Sequence, residues 1–338
     1  MEVGNETMIP EFILLGFGDF KELQILLFVL FLTLYIMTVA GNLLIVVLVV
    51  TDHHLHTPMY FFLGNLSSLE ICYSSTIIPR MLARFVTGNQ QVSLHVCIMQ
   101  LWCFCFFAAT ECYLLAAMSY DRYLAICRPL HYSTLMNPKV SFQLIAGSWM
   151  CSFVVEMILF SFILQLSFCG SRAIEHFFCD FIPVINQACS NTHLVKLVLV
   201  VLASITTLPL FILTTISYGY IIMVILRIPS IREQKKAFST CSSHLIVVTT
   251  FYGTLIIVYI LPDSDRLKKL NKVFSVFYTI LTPLVNPLIY SLRNKEVKEA
   301  LRRIARKCTQ CMQVHQILVF KLHNGTKFPC KNKKTSLC

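Results

Sequence analysis

Seven predominantly apolar stretches of about twenty residues or more recur along the chain, near 23–50, 58–82, 97–120, 140–164, 197–226, 241–261 and 272–291. A helix of about twenty residues crosses roughly 30 Å of hydrocarbon, and a chain in that medium must satisfy its own peptide groups, so the pattern predicts seven membrane-spanning helices. The expected fold is an all-α membrane protein, a seven-transmembrane helix bundle. The longest connection, about 165 to 196, is too short to build a core of its own, and no internal repeat is evident. One bundle over 23–291 therefore follows an amino-terminal segment, 1–22. Beyond it, "SLRNKEVKEALRRIARKC" sets Leu292, Val297, Leu301 and Ile304 at near-helical spacing among charges. That predicts a short amphipathic helix over 292–307 lying on the membrane, with Cys308 as a palmitoylation candidate and a tail, 308–338, to which no structure is assigned.

Composition agrees with the pattern: 56% of the residues are hydrophobic and 13% charged, where a soluble domain carries roughly a quarter charged residues. The net charge of +11 raises nucleic acid as a partner, but twelve of the 28 Lys and Arg follow Ser291. A juxtamembrane basic segment on anionic lipid accounts for them, and no nucleic-acid partner is expected. With seven spans, the amino-terminal side holds nine of the 28: Lys21, Arg80, Arg84, Arg172, Lys196, Arg266, Lys268, Lys269 and Lys272. The excess on the other side places the amino terminus outside the plasma membrane and the carboxyl terminus in the cytoplasm. No cleaved signal peptide is expected, because no basic leader precedes the first span. On this orientation the "NET" triplet makes Asn5 a glycosylation acceptor, and the "NGT" at Asn324 should go unused.

Four of the fifteen cysteines, Cys97, Cys169, Cys179 and Cys189, fall on the outer side, where an oxidising compartment lets them pair in three ways. Cys72, Cys103, Cys105 and Cys112 lie within spans and read as small packing residues. "CTQC" at Cys308 has no second pair, and His53, His54 and His56 beside Asp52 read as solvated loop residues, so no metal centre is expected.

The charges inside the spans need a reason. Arg122 ends an apolar run beside Asp121, and an arginine at a helix centre costs roughly 2.5–3.5 kcal/mol on insertion scales, less at an end beside an acid. The pair is either a snorkelling interfacial pair or a latch that holds the inner helix ends together. Glu70 lies near mid-span, and Glu111 about three helical turns before Arg122. Each acid either bonds a neighbour such as Ser67, Ser68 or Asn286, or the two face each other and share a proton or a sodium ion. Glu156, in the fourth span, has no evident partner.

"MSYDRYLAICRPLHY", from Met118, resembles the end of the third helix in rhodopsin-like G-protein-coupled receptors, specifically the olfactory receptors. "GNLLIV" at Gly41, "PMYFFLGNLSSLEICY" from Pro58, "SY" at Ser217, "KKAFSTCSSHLIVVTTFYGT" from Lys235 and "PLVNPLIYSLRN" from Pro283 are similar to motifs of the same family, in the expected order and spacing from about residue 12 to residue 307. The resemblance implies that Asp121, Arg122 and Tyr123 face a heterotrimeric G protein, that Tyr218 and Tyr290 swing inward in the open state, and that His244, Asn286 and Pro287 belong to the same switch. Pro287 also removes a backbone donor from the seventh span and is expected to kink it. The resemblance further pairs Cys97 with Cys179, leaving Cys169 for Cys189. Related receptors usually have aspartate at the position of Glu70; here the side chain is one methylene longer.

Helical spacing outward from Arg122 brings Phe104, Cys105, Ala108 and Ala109 to one level. With them come Leu202, Ala203 and Thr206 on the fifth span, Tyr252, Leu255, Ile256 and Tyr259 on the sixth, and Val276 and Thr279 on the seventh. The set is apolar with a few hydroxyls, suited to a small hydrophobic molecule. About ten heavy atoms at roughly −0.5 kcal/mol each give a dissociation constant on the order of 0.1 mM, hence broad tuning. The function expected is an odorant receptor that activates a stimulatory G protein and raises cyclic AMP. The alternatives are the same fold sensing another small molecule outside the nose, or a transporter or channel. No catalytic motif appears at a usable spacing, so the chain is not expected to be an enzyme.

Overall fold

The apolar stretches fold as helices at all seven places in the computed structural model, which describes residues 11–16, 23–169, 172–261, 272–293, 296–303 and 306. They are α1 (Gln24–Thr51), α2 (Pro58–Thr87), α3 (Leu94–Cys127), α4 (Pro138–Ile163), α5 (His193–Leu226), α6 (Ile231–Leu255, continued by a π-helical turn Ile256–Ile260) and α7 (Thr282–Arg293, preceded by a π-helical turn Phe277–Leu281). Among the described residues, five segments are long and apolar enough to cross a membrane on their own: Gln24–Thr51, Leu94–Cys127, Pro138–Ile163, His193–Leu226 and Lys272–Ile289. The helix α2 carries Glu70, Arg80 and Arg84, and α6 opens on the polar run from Ile231, which lowers the hydropathy of both.

Position in the bundle follows from which faces are apolar all round. The central helix, α3, packs on α2, α4 and α5, while α1 lies on α2 and α7. The α1–α7 approach depends on a missing side chain: a Cβ at Gly41 would come within 3.2 Å of the Pro287 ring. One residue on, Asn42 donates to Thr38 O (3.1 Å) and to Pro283 O (3.0 Å), which ties the two helices beside a proline that cannot donate. A continuous core runs through the bundle, with Leu66, Tyr73, Phe104, Leu115, Phe251 and Tyr252 buried.

At one end a three-stranded sheet closes the bundle. β1 (Glu11–Leu14) pairs antiparallel with β2 (Gln91–Ser93) and parallel with β3 (Ala173–Ile174). Phe12 and Leu14 point inward onto a second core formed with Ile98, Phe168, Ile174 and Phe181. Two disulfides hold the same end: Cys97–Cys179, with Cα atoms 5.4 Å apart, and Cys169–Cys189, at 5.6 Å. Gly16 then turns the chain at φ +59°, a left-handed conformation that suits glycine, with the Arg84 guanidinium packed where a Cβ would stand.

The opposite end carries the amphipathic segment. Residues 296–303 are helical, with Val297 and Ala300 buried in the main core and Leu301 packed at its edge. Tyr60 donates to Glu296 Oε2 (2.8 Å), and Arg303 Nε pairs with Asp52 Oδ2 at 2.8 Å, so the helix is fixed to the start of α2 and to the turn before it. Ile304, Cys308, the tail and the side chain of Leu292 lie outside the described residues, as does Asn5.

Candidate functional site

Between α3, α4, α5 and α6, below the disulfide end, a largely apolar cavity of about 80 Å3 opens. Nine of the residues that helical spacing selects line it: Phe104, Cys105, Ala108, Ala109, Leu202, Ala203, Thr206, Leu255 and Tyr259. Cys112, Val155, Glu156, Leu159, Leu199 and Thr207 join them. The α4 wall, with Glu156, is the part that spacing from Arg122 could not reach, because α4 shares no anchor with α3. Tyr252, Ile256, Val276 and Thr279 do not line this cavity. Tyr252 is fully buried beneath it and donates to Cys112 O at 2.6 Å, Thr279 turns its hydroxyl back to Ser275 O at 2.6 Å, and Ile256 and Val276 are half-buried. Tyr252 joins α6 to α3 at the cavity floor.

A polar network forms the lid above the cavity. Asp180 caps the short helix Phe181–Ile185 through Phe181 N (2.7 Å) and accepts from Tyr259 Oη (2.7 Å) and Tyr278 Oη (3.4 Å). Tyr278 meets Ser275 Oγ (2.9 Å), which in turn meets His176 Nε2 at 3.2 Å. His176 Nδ1 accepts from Phe178 N at 3.5 Å, so Nε2 carries the proton that Ser275 accepts. Burial, together with the nearby Lys272 ammonium, pushes the His176 imidazole down to about 3. Burial also raises the Asp180 carboxyl above its ordinary value, against the lowering effect of its bonds from Tyr259, Phe181 and Tyr278. Asp180 and His176 were not among the residues expected from the sequence; the acid directly after Cys179 was the available signal.

Below the cavity floor, α1, α2, α3 and α7 bring Asn42, Glu70, Glu111 and Asn286 together, all buried. Asn286 donates to Glu70 Oε1, and the Glu111 carboxyl is a neighbour of the Glu70 carboxyl. Five acceptor oxygens there have no hydrogen-bond partner among the described residues: Asn42 Oδ1, Glu70 Oε2, both of Glu111 and Asn286 Oδ1. Ser67 and Ser68 do not bond Glu70; Ser68 returns its hydroxyl to Gly64 O at 2.9 Å. A cluster of acceptors without donors suits a small cation or shared protons.

At the far end of α3, Asp121 is buried and accepts from Tyr132 Oη at 2.8 Å. The helix continues past it to Cys127, so Asp121 and Arg122 lie on the helix, not at its last turn. Arg122 has no hydrogen bond or ion pair among the described residues, and its charge is felt by Cys241 and His244 of α6. Tyr218 of α5 and Nδ1 of His244 are hydrogen-bonded, joining α5 to α6. Tyr123 packs on Tyr220, ring centroids 5.9 Å apart. The side chain of Tyr290 lies outside the described residues.

Seven helices, an internal apolar cavity under a disulfide-held lid, and at the other end an arginine that bonds no described residue form the arrangement of a seven-helix receptor. Residues 31–307 match the family described as olfactory receptor. Olfactory receptor 8U9 of Mus musculus is 47% identical over 308 residues, 91% of this chain and 98% of the relative. The human olfactory receptors 10C1 and 6F1 are 48% and 49% identical, covering 90% and 89% of this chain and 97% and 98% of the relatives. The chain belongs to the olfactory receptor family. It is an odorant receptor of the G-protein-coupled class, a multi-pass membrane protein and not an enzyme.

Proposed function

We propose that this receptor takes small, mostly hydrophobic odorants into the cavity between α3, α4, α5 and α6, and that binding there drives nucleotide exchange on a stimulatory, olfactory-type G protein, raising cyclic AMP. The disulfide end faces outside the plasma membrane, with Asn5 glycosylated, and the Arg122 end faces the cytoplasm. The observation that carries this reading is the position of one rigid helix: α3 lines the cavity at Ala109 and presents Arg122 thirteen residues later, about 20 Å along its axis. A ligand shifts the equilibrium only if it binds the open arrangement more tightly. Leu255 and Tyr259 line the cavity and Tyr252 of the same helix forms its floor, and that helix carries His244 near Arg122. Movement of α6 is therefore the route by which an occupied cavity alters the surroundings of Arg122, Tyr123, Tyr218, His244 and Tyr290.

Between the two lies the acceptor cluster. Glu70 and Glu111, with Asn42 and Asn286, would hold a sodium ion, whose charge would neutralise the facing carboxyls; Pro287 and the π-helical turn of α7 beside them supply a hinge. A cyclic AMP reporter assay in cells that supply an olfactory-type G protein, run against a chemically diverse odorant panel, tests the reading. Signal from at least one odorant is expected, lost in Arg122→Ala at equal surface expression. A surface-expressed receptor silent to every compound, with basal cyclic AMP no higher than in mock-transfected cells, would overturn it.

A further inference from the structure

Glu156 is the charged side chain that an odorant cavity of purely apolar purpose would not contain. It stands on α4, in the wall of the cavity, buried to more than nine-tenths. No hydrogen bond or ion pair engages it among the described residues; Cys105 and Cys112 share the cavity wall with it, and Trp102, whose indole Nε1 has no partner among the described residues, lines a second small void beside it. Among the described residues no Lys, Arg or His lines the cavity. Asp180, the other acid above it, is already engaged by Phe181, Tyr259 and Tyr278.

The remaining polar atoms of the wall point the same way. Tyr259 directs its proton to Asp180 Oδ1 (2.7 Å), and Thr206 directs its own to Leu202 O (2.7 Å). What these hydroxyls offer a guest is lone pairs. Apart from the Thr207 hydroxyl and the weak thiol donors of Cys105 and Cys112, a guest that brings only acceptors, such as a ketone or ester, finds a donor here only if Glu156 is protonated. A guest that brings a basic nitrogen is matched in either state: a carboxylate accepts N–H from an ammonium, and a carboxylic acid donates its O–H to the amine nitrogen, with the same total of protons.

From this we propose that the cavity selects small primary aliphatic amines, with Glu156 as their anchor. The proposal deepens the odorant-receptor reading and rests on it. Size sets the chain length. The free space is about 80 Å3, less than the roughly 150 Å3 of an engineered cavity that admits benzene, so the guest is a molecule of few heavy atoms, its apolar part against Ala108, Leu199 and Leu202, and the response should fall off toward the long end of the series.

The test uses the full-length receptor with an epitope tag and a cyclic AMP reporter. The probes are the straight-chain primary amines from butylamine to heptylamine, with alcohols and methyl ketones of equal length. Wild type is expected to respond to amines at lower concentration than to either comparison series. Glu156→Gln should raise the amine half-maximal concentration by about tenfold or more, the worth of a hydrogen bond to a charged group, with a much smaller change for alcohols. Glu156→Asp, which keeps the charge, should restore part of the amine preference and guards against a folding defect, as does surface staining of each variant. Amines no better than alcohols in wild type, or an amine response equally sensitive in Glu156→Gln, would overturn the amine assignment. Silence to all three series, with a response to some other odorant, would overturn it while leaving the receptor reading intact; no response to any odorant at a receptor that reaches the surface would remove both.

Discussion

Tyr132, in the turn that follows α3, donates a 2.8 Å hydrogen bond to Asp121, while Arg122 beside it bonds no described residue. The acid is thus held by a tyrosine eleven residues on rather than by its adjacent base. Removing the phenol releases Asp121 to pair with Arg122. Tyr132→Phe is expected to lower maximal odorant-evoked cyclic AMP by about threefold or more at equal surface expression, since a hydrogen bond to a charged group is worth roughly 1.5–3 kcal/mol. An unchanged maximum would show that the turn does not govern the arginine.

The five acceptor oxygens around Glu70 and Glu111 predict a response to cation identity. Replacing choline chloride by sodium chloride at constant ionic strength should raise the melting temperature of the purified receptor, and Glu70→Gln with Glu111→Gln should abolish that difference and change basal signalling. Equal melting in both salts for wild type, with basal cyclic AMP untouched in the double variant, would rule out a role for these acids.

His176 predicts the pH behaviour of the lid. Its folded value, near 3, lies below the ordinary 6.5, so the neutral ring contributes stability that is complete above pH 6.5 and is lost as the pH falls from 6.5 toward 3. At pH 5 the loss is about 2 kcal/mol. Asp180 moves the other way, because its raised carboxyl favours the protonated fold and its contribution is lost as pH rises through the folded value. His176→Gln isolates the histidine: wild type should lose several degrees of melting temperature between pH 7.5 and pH 5 relative to the variant, on the order expected for ~2 kcal/mol. Parallel profiles would contradict this.

Asp52 and Arg303 couple the amphipathic helix to the first turn. Burial would raise the Asp52 carboxyl, but the His54 backbone N–H, the Arg303 guanidinium and the His54 ring together outweigh it and hold the group at about 2. Its contribution is therefore present above the ordinary carboxylate range and is lost only as pH falls through about 2, so it does not vary near neutrality. Arg303 is 35% exposed, and the coupling should accordingly be small. A double-mutant cycle of Asp52→Asn and Arg303→Ala should give roughly 1 kcal/mol or less; a coupling of several kcal/mol would show that the pair is sealed from water.

The helices were legible because each must bury or immerse about twenty apolar residues, a pattern written locally. Their ends were less so: α6 begins at Ile231, ten residues before the apolar run, since "IREQKKAFST" is stabilised as helix by the Ser230 cap and not by hydrocarbon. The sheet was not legible at all. Its strands are four, three and two residues long and come from segments far apart in sequence, so no local periodicity announces them. At the cavity, spacing from Arg122 found the α3 and α5 walls but could not say which α6 side chains point in; Tyr252 faces α3 and bonds Cys112 instead. Glu156 was visible as an acid in an apolar span, and only the packing of α4 shows what it faces.

The most direct test of the central claim, that an occupied cavity moves α6 and so opens the surroundings of Arg122 to a G protein, is nucleotide exchange measured on purified components. Receptor in nanodiscs, mixed with an olfactory-type heterotrimer loaded with labelled GDP, should accelerate GDP release when an activating odorant is added, and Arg122→Ala should reduce that acceleration by about tenfold or more. GDP release that no odorant accelerates, or that Arg122→Ala leaves unaltered, would contradict the account.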